Sequence, residues 1–201
     1  FCALSGIMIQ IFCFVLQRTA RKITVGHGIA PFLLAPVGFH FSCGIFCPAP
    51  EKFPVLFLCT PGGKFHADDV FSAALLLHFN PQLTIQRGNR VPEDFAGIVF
   101  DIGRGEYDHH QKDSRIRENQ VPYAAFGLLW EALGTEILSP EMAARFDEKF
   151  VQPLDLNDNT GEKNELASMI GMFNPVWDDN SGSDAAFLEA VAVAGRILKH
   201  K

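Results

Sequence analysis

Asp108, His109 and His110 stand side by side seven residues after Asp101, and His66 and Asp68 stand two apart just after Thr60-Pro61-Gly62-Gly63. Histidine and aspartate in several copies are the side chains that hold divalent ions. Carboxylates suit the harder ions and imidazole the borderline ones, among them manganese, magnesium and zinc. A mixed set without sulfur leans towards manganese or magnesium, and this one is large enough for a pair. Two ions about 3.5–4 Å apart can bridge a water, lower its pKa and stabilise both oxygens of an in-line phosphoryl displacement. Lys64 and Arg104 flank the cluster and are the basic residues best placed to meet a phosphate. All five cysteines lie at or before Cys59, outside the segments that carry this pattern. Cysteine catalysis, a cysteine zinc site and a disulfide framework are therefore not expected.

Taken singly, each piece also has an ordinary reading. Asp68 or Asp69 can cap a helix. Asp101 can cap a turn, and adjacent histidines in a loop are commonly just exposed. Asp155, Asp158 and Asn159 read as turn formers before Gly161. Gly103-Arg104-Gly105 is too short for a phosphate loop, and no dinucleotide fingerprint or Walker motif occurs. What outweighs these readings is convergence, which depends on the elements that carry the residues.

The apolar run Val55–Cys59, bounded by Pro54 and Thr60-Pro61-Gly62-Gly63, reads as a buried strand. Asp68-Asp69 opens a helix to about Phe79, stopped by Asn80-Pro81. Leu83–Arg87 alternates as a second strand, and Gly97–Asp101 is a third, apolar until its last residue. Helices follow over Tyr123–Leu133, ended by Gly134, and from Pro140 to Phe150 or beyond. Two more cover Lys163–Met172 and Asp184–His200. This order predicts an α/β fold, a doubly wound and mainly parallel sheet with a helical second half. Ligands of such sheets sit beyond the carboxyl ends of the strands. His66, Asp68, Asp101 and the Asp108–His110 loop should therefore meet at one edge. Asp101 on a strand end suits a ligand that must not move.

The chain has 201 residues, 48% apolar and 20% charged, enough to bury a sizeable core. Its net charge of −6 argues against a broad basic face for nucleic acid, so sequence-specific DNA binding is not expected. It does not exclude an enzyme that meets phosphates through metal ions. The charge is uneven: residues 1–50 carry only Arg18, Arg21 and Lys22, and every acidic residue lies beyond them. Residues 1–53 read as an atypical apolar segment, non-native or an anchor through residues 1–22. Residues 54–201 read as the working domain. A signal peptide would place its basic residues before the apolar run, and here they follow it. Membrane association is otherwise not expected. The cysteine pattern fits the cytoplasm, and the oligomeric state is left open.

Thr60-Pro-Gly-Gly-Lys-Phe-His66-Ala-Asp68-Asp69, Val99-Phe100-Asp101-Ile102-Gly103 and Asp108-His109-His110-Gln111, in that order, resemble the motifs of the melanocyte proliferating gene one family. That family is similar to the DHH phosphoesterases. Asp155-Leu-Asn-Asp158-Asn159 resembles its fourth acidic motif, and the likeness spans about residue 54 to the C-terminus. The resemblance implies a DHH-like, metal-dependent phosphoesterase, acting as a 3′–5′ exonuclease on RNA or short oligonucleotides. It implies two ions, Mn2+ first and Mg2+ second, held by His66, Asp68, Asp101, His109 and Asp158, with Asp155 a further candidate. Asp108 would orient the histidine pair, and His110 would contact the scissile phosphate or assist the leaving oxygen. The family carries a histidine directly after the threonine of the first motif. Here Pro61 takes that place, so one ion is expected to be held weakly or not at all. Family members are longer, so the domain is expected to be incomplete at its C-terminus. Two other functions share the same residues: a small-phosphate hydrolase resembling a pyrophosphatase, and a truncated, inactive metal-binding protein.

Overall fold

The structure is a computed structural model and describes residues 57–176 and 182–200. The readings of residues 1–53, and the first half of the expected strand Val55–Cys59, lie outside the described residues. Everything described belongs to one unit, Lys52–Lys201.

Three parallel strands form a small sheet in the order β2-β1-β3, with β1 at Phe57–Pro61, β2 at Thr84–Gly88 and β3 at Gly97–Val99. Leu58 pairs with Ile85 on one side and Ile98 on the other. The central position explains why Leu58, Cys59 and Thr60 are buried while β2 and β3 are only half covered. The fold is thus α/β with a small parallel sheet, as the apolar strand runs predict.

Helix α1 (Ala67–Phe79) follows β1. Every residue from Ala67 to Leu76 is buried, so α1 is covered all round rather than on one stripe. It packs against α2 (Ala125–Ile137), α4 (Gln152–Thr160), α5 (Glu165–Gly171) and α6 (Ser183–Lys199). Phe71 of α1 stands 5.5 Å from the Phe126 ring and 5.4 Å from the Phe150 ring. Clusters of this kind add dispersion and quadrupole attraction to plain area burial.

Three expected boundaries need correction. The helix beginning near Tyr123 does not end at Gly134 but runs to Ile137, with Leu138 N–H still donating to the Gly134 carbonyl. Gly134 is where the Trp130 indole lies back along the helix, 2.7 Å from where a Cβ would be. The helix stops instead just before Ser139-Pro140, where Ser139 caps α3 (Pro140–Phe146). Strand β3 ends at Val99, and Asp101 sits just beyond it at φ 59°. Asp155, Asp158 and Asn159 are not in a turn. They lie on α4, and Gly161 in the left-handed region terminates that helix.

Between α3 and α4 the chain makes a π-helical turn, Asp147–Val151. Pro153, at the start of α4, has no N–H to give to the carbonyl four residues back, a standard cause of such a widened turn. No helix of the described residues is long and apolar enough to cross a membrane.

Candidate metal centre

Strand β1 leads through α1 to β2 on one side, and the chain then returns to β3 on the other. The order therefore reverses between β1 and β3, where open parallel sheets form a crevice at their carboxyl ends. His66 and Asp68 enter that crevice from the β1–α1 junction, Asp101 from the end of β3, and Asp158 from α4.

His66 occupies the position just before α1, and its backbone N–H donates to Asp69 Oδ1 at 3.1 Å. Asp69 thus closes the helix start, and Asp68 is left free to face the crevice. Asp68 is 1% exposed, and neither carboxylate oxygen has a hydrogen-bond partner. Burial pushes its pKa well above the usual carboxylate range, with Asp101, Asp158 and Asp69 adding repulsion. Burial and then Asp101 do the same to Asp69, against the pull of Arg87 and the His66 N–H.

His109 is the centre of the cluster. Its Nε2 lies 3.0 Å from Asp101 Oδ1, 3.2 Å from Asp158 Oδ2 and 4.0 Å from Asp68 Oδ2. Burial alone would lower its pKa. The hydrogen bond to Asp101 and the charges of Asp101 and Asp158 outweigh that and raise it above the ordinary histidine value. Asp158 reaches the other way too, its Oδ1 3.4 Å from His66 Nδ1.

Asp101 owes its direction to an unusual backbone. At φ 59° it is in the left-handed region, which aspartate tolerates better than most side chains, and its N–H is held by the Tyr107 carbonyl at 2.9 Å. The loop that this bond closes carries Asp108. Asp108 Oδ2 accepts from the Arg104 N–H at 2.6 Å, and its Oδ1 accepts from the His110 N–H at 3.0 Å. The same Oδ1 lies 2.7 Å from His110 Nδ1. Burial raises the Asp108 pKa, but these hydrogen bonds bring it below the usual value. The His110 ring stacks 4.3 Å from that of His109, with its side chain 59% exposed.

Two groups of three therefore lie within reach of a common ion each: Asp101, His109 and His110, and His66, Asp68 and Asp158. Lys64 and Arg104 are exposed on the two loops beside them. Asp155 belongs to neither group. It is wholly buried, 2.8 Å from Arg117 Nη2, and accepts the Gly127 N–H at 3.1 Å. Burial outweighs the Arg117 charge and pushes the Asp155 carboxyl up to about 7. No motif in the sequence marks Arg117. Asn159 reads there as a turn former and as part of the fourth motif, yet in the structure it touches His109 directly. Spacing held the clue: Asp155, Asp158 and Asn159 are at i, i+3 and i+4, one face of a helix.

Fold and site together define an α/β domain with a carboxylate–imidazole centre of the metal-binding type at a strand switch point. The chain belongs to the MYG1_exonuc family: the model of this family, described as "Uncharacterised protein family (UPF0160)", matches residues 57–201. It is 25% identical over 179 residues to a MYG1 protein of Schizosaccharomyces pombe, covering 70% of this chain and 55% of that one. A MYG1 protein of Caenorhabditis elegans is 23% identical over 175 residues, covering 68% of this chain and 52% of the relative. The chain thus spans about half the length of these relatives. No solved structure matches it.

Proposed function

We propose that the chain is a metal-dependent phosphoesterase that hydrolyses phosphodiester bonds, as a 3′–5′ exonuclease on RNA or short oligonucleotides. The observation that carries this reading is Asp68. It is buried, no donor reaches either of its oxygens, and it faces two further carboxylates and an imidazole, a donor set that fits a divalent cation. The name of the family, MYG1_exonuc, points the same way.

His66, Asp68, Asp101, His109 and Asp158 would hold two divalent ions, Mn2+ before Mg2+ on the oxygen-rich donor set. When bound, such ions supply an activated water and stabilise charge on the phosphoryl oxygens. The protein's own contribution is positional. Asp108 holds His110 by backbone and ring, which leaves His110 Nε2 facing outwards to contact the scissile phosphate. Lys64 and Arg104 attract the phosphate from the flanking loops. Pro61, the last residue of β1, offers no side-chain ligand, and the site relies on the five residues named. We read the sheet as the start of a doubly wound, DHH-like domain, on the support of its β2-β1-β3 order. We place the protein in the cytoplasm on its cysteine pattern.

The test is a calorimetric manganese titration of the whole chain, followed by turnover of 3′-labelled RNA and of pyrophosphate, with Asp101→Ala alongside. Two ions and RNA hydrolysis, both lost in the variant, are expected. Turnover of pyrophosphate alone would move the reading to a small-phosphate hydrolase. Ion binding without turnover of either would leave an inactive metal-binding protein.

A further inference from the structure

Phe65 lies between the end of β1 and the start of α1, where neither the sheet nor the helix supplies partners for its backbone N–H and carbonyl. Asn174, 109 residues downstream, supplies both. Its Oδ1 accepts from the Phe65 N–H at 2.9 Å, and its Nδ2 donates to the Phe65 carbonyl at 2.8 Å. Paired strand residues exchange bonds in the same way, but here a side chain takes the place of a strand. Only a side-chain amide sets a donor and an acceptor side by side for this, since a guanidinium only donates and a carboxylate only accepts. Asn174 is itself anchored to the last residue of α5: its backbone N–H and its Nδ2 donate to the Gly171 carbonyl at 3.2 and 3.1 Å. The Phe65 ring is fully buried, edge-on to Phe187 of α6 with centroids 5.4 Å apart. Backbone and ring of Phe65 are thus both held by the second half of the chain.

His66 comes next. Its side chain is 60% exposed and stands 3.4 Å from Asp158. Packing does little to aim an exposed side chain, so its direction depends on the backbone that carries it. We propose that Asn174 is a positioning residue for His66: by clasping Phe65 it fixes the backbone from which the imidazole reaches Asp158 and the ion position these two share with Asp68. Only the ion position rests on the metal-site reading above. Asp68 depends less on the clasp, because α1 is buried all round and Asp69 closes its start. The effect of Asn174 should therefore fall on one of the two ion positions, the one that includes His66.

The experiment uses the whole chain and two variants. Asn174→Ala removes the amide. Asn174→Leu removes both bonds but keeps the volume, which covers the case of an alanine variant that fails to fold. Without metal, amide hydrogen exchange reads the clasp and 15N relaxation reads the His66 backbone. In the parent, the Phe65 N–H should exchange slowly and the His66 amide should be as rigid as those of α1. In the variants, the Phe65 protection should be lost and the His66 amide should become mobile, with the amides of Val70 to Leu76 unchanged. In Mn2+ titrations the variants should bind one ion about tenfold more weakly, the lower end of what partners behind metal ligands typically cost, and the other as the parent does. In a His66→Ala background, Asn174→Leu should add nothing further. An unprotected Phe65 amide in the parent would overturn the proposal, as would unchanged His66 rigidity in the variants, equal weakening of both ions, or a further loss in the His66→Ala background. If exchange and relaxation behave as expected but the parent binds no Mn2+, the phosphoesterase reading falls while the hold of Asn174 on His66 stands.

Discussion

The Oδ2 of Asp158 and the Nε2 of His109 face each other at 3.2 Å, joining α4 to the loop after β3. Because the other oxygen of Asp158 is 3.4 Å from His66, this one carboxylate stands between both candidate ion positions.

Asp158→Ala should therefore weaken manganese binding at both positions, whereas His66→Ala should weaken one. Calorimetric titration of the two variants beside the parent measures this. Loss of a single ion in Asp158→Ala, with the second unaffected, would show that the carboxylate serves one position only.

Proton competition sets the pH dependence of binding. His109 is raised above its ordinary value of about 6.5 by its carboxylate neighbours. An ion must displace that proton, so affinity should start to fall at a pH above 6.5 and continue downwards. For the metal-free protein the sign is opposite. A raised histidine pKa favours the folded state fully below the unfolded value, and that contribution is lost as pH rises through the folded value. Titrations from pH 5 to pH 9 with and without Mn2+ should show these opposed slopes, and parallel slopes would count against histidine ligation.

The pairing of Arg117 with Asp155 fastens α4 to the segment before α2, with Asp147 holding the same guanidinium at 2.8 Å. Removing one partner of a buried pair typically costs about 3–5 kcal/mol. Arg117→Ala should approach the lower end, because a carboxyl already raised to about 7 can escape by taking up a proton. The loss should shrink as pH falls towards 7 and be smallest below it, as read by denaturant unfolding at pH 5 and pH 8. Gly127→Ala should be at least as damaging, since its methyl group would overlap the Asp155 carboxylate.

Asp101 combines a ligand with a left-handed backbone. Asp101→Asn keeps a side chain that tolerates φ 59° and should lose ion binding with little loss of stability. Asp101→Ala should add a backbone cost of about 1–2 kcal/mol to the same loss of binding. Thermal melting without metal distinguishes the two variants, and equal melting would remove the backbone argument.

The strands and the residues at their carboxyl ends were legible in the sequence because punctuation and polarity coincide there. Thr60-Pro61-Gly62-Gly63 ends one apolar run, and Asp101 follows another. The second half was less legible. Asp155, Asp158 and Asn159 look alike as polar residues before a glycine, and only the helical face they share separates an internal tether from a crevice-facing carboxylate. Gly134 misled because the indole that fills its missing side-chain space comes from its own helix. The partner of Asp155 is far away in sequence, and no local pattern announces Arg117.

The widened turn at Asp147–Val151 bears on how this chain can tolerate change. Each residue of a helix turns its successors by about 100°. The widened turn fits one extra residue into about the rotation of a regular one, so removing one residue between Pro140 and Pro153 would restore a regular spiral and keep Asp155, Asp158 and Asn159 facing as they do, whereas adding one would swing Asp158 and Asn159 off the crevice and Asp155 off Arg117. Point substitutions on the outer face of this stretch should be absorbed, and so should the loss of a single codon there, while the gain of one should abolish the centre. The length of that stretch is thus as much a part of the site as the side chains themselves.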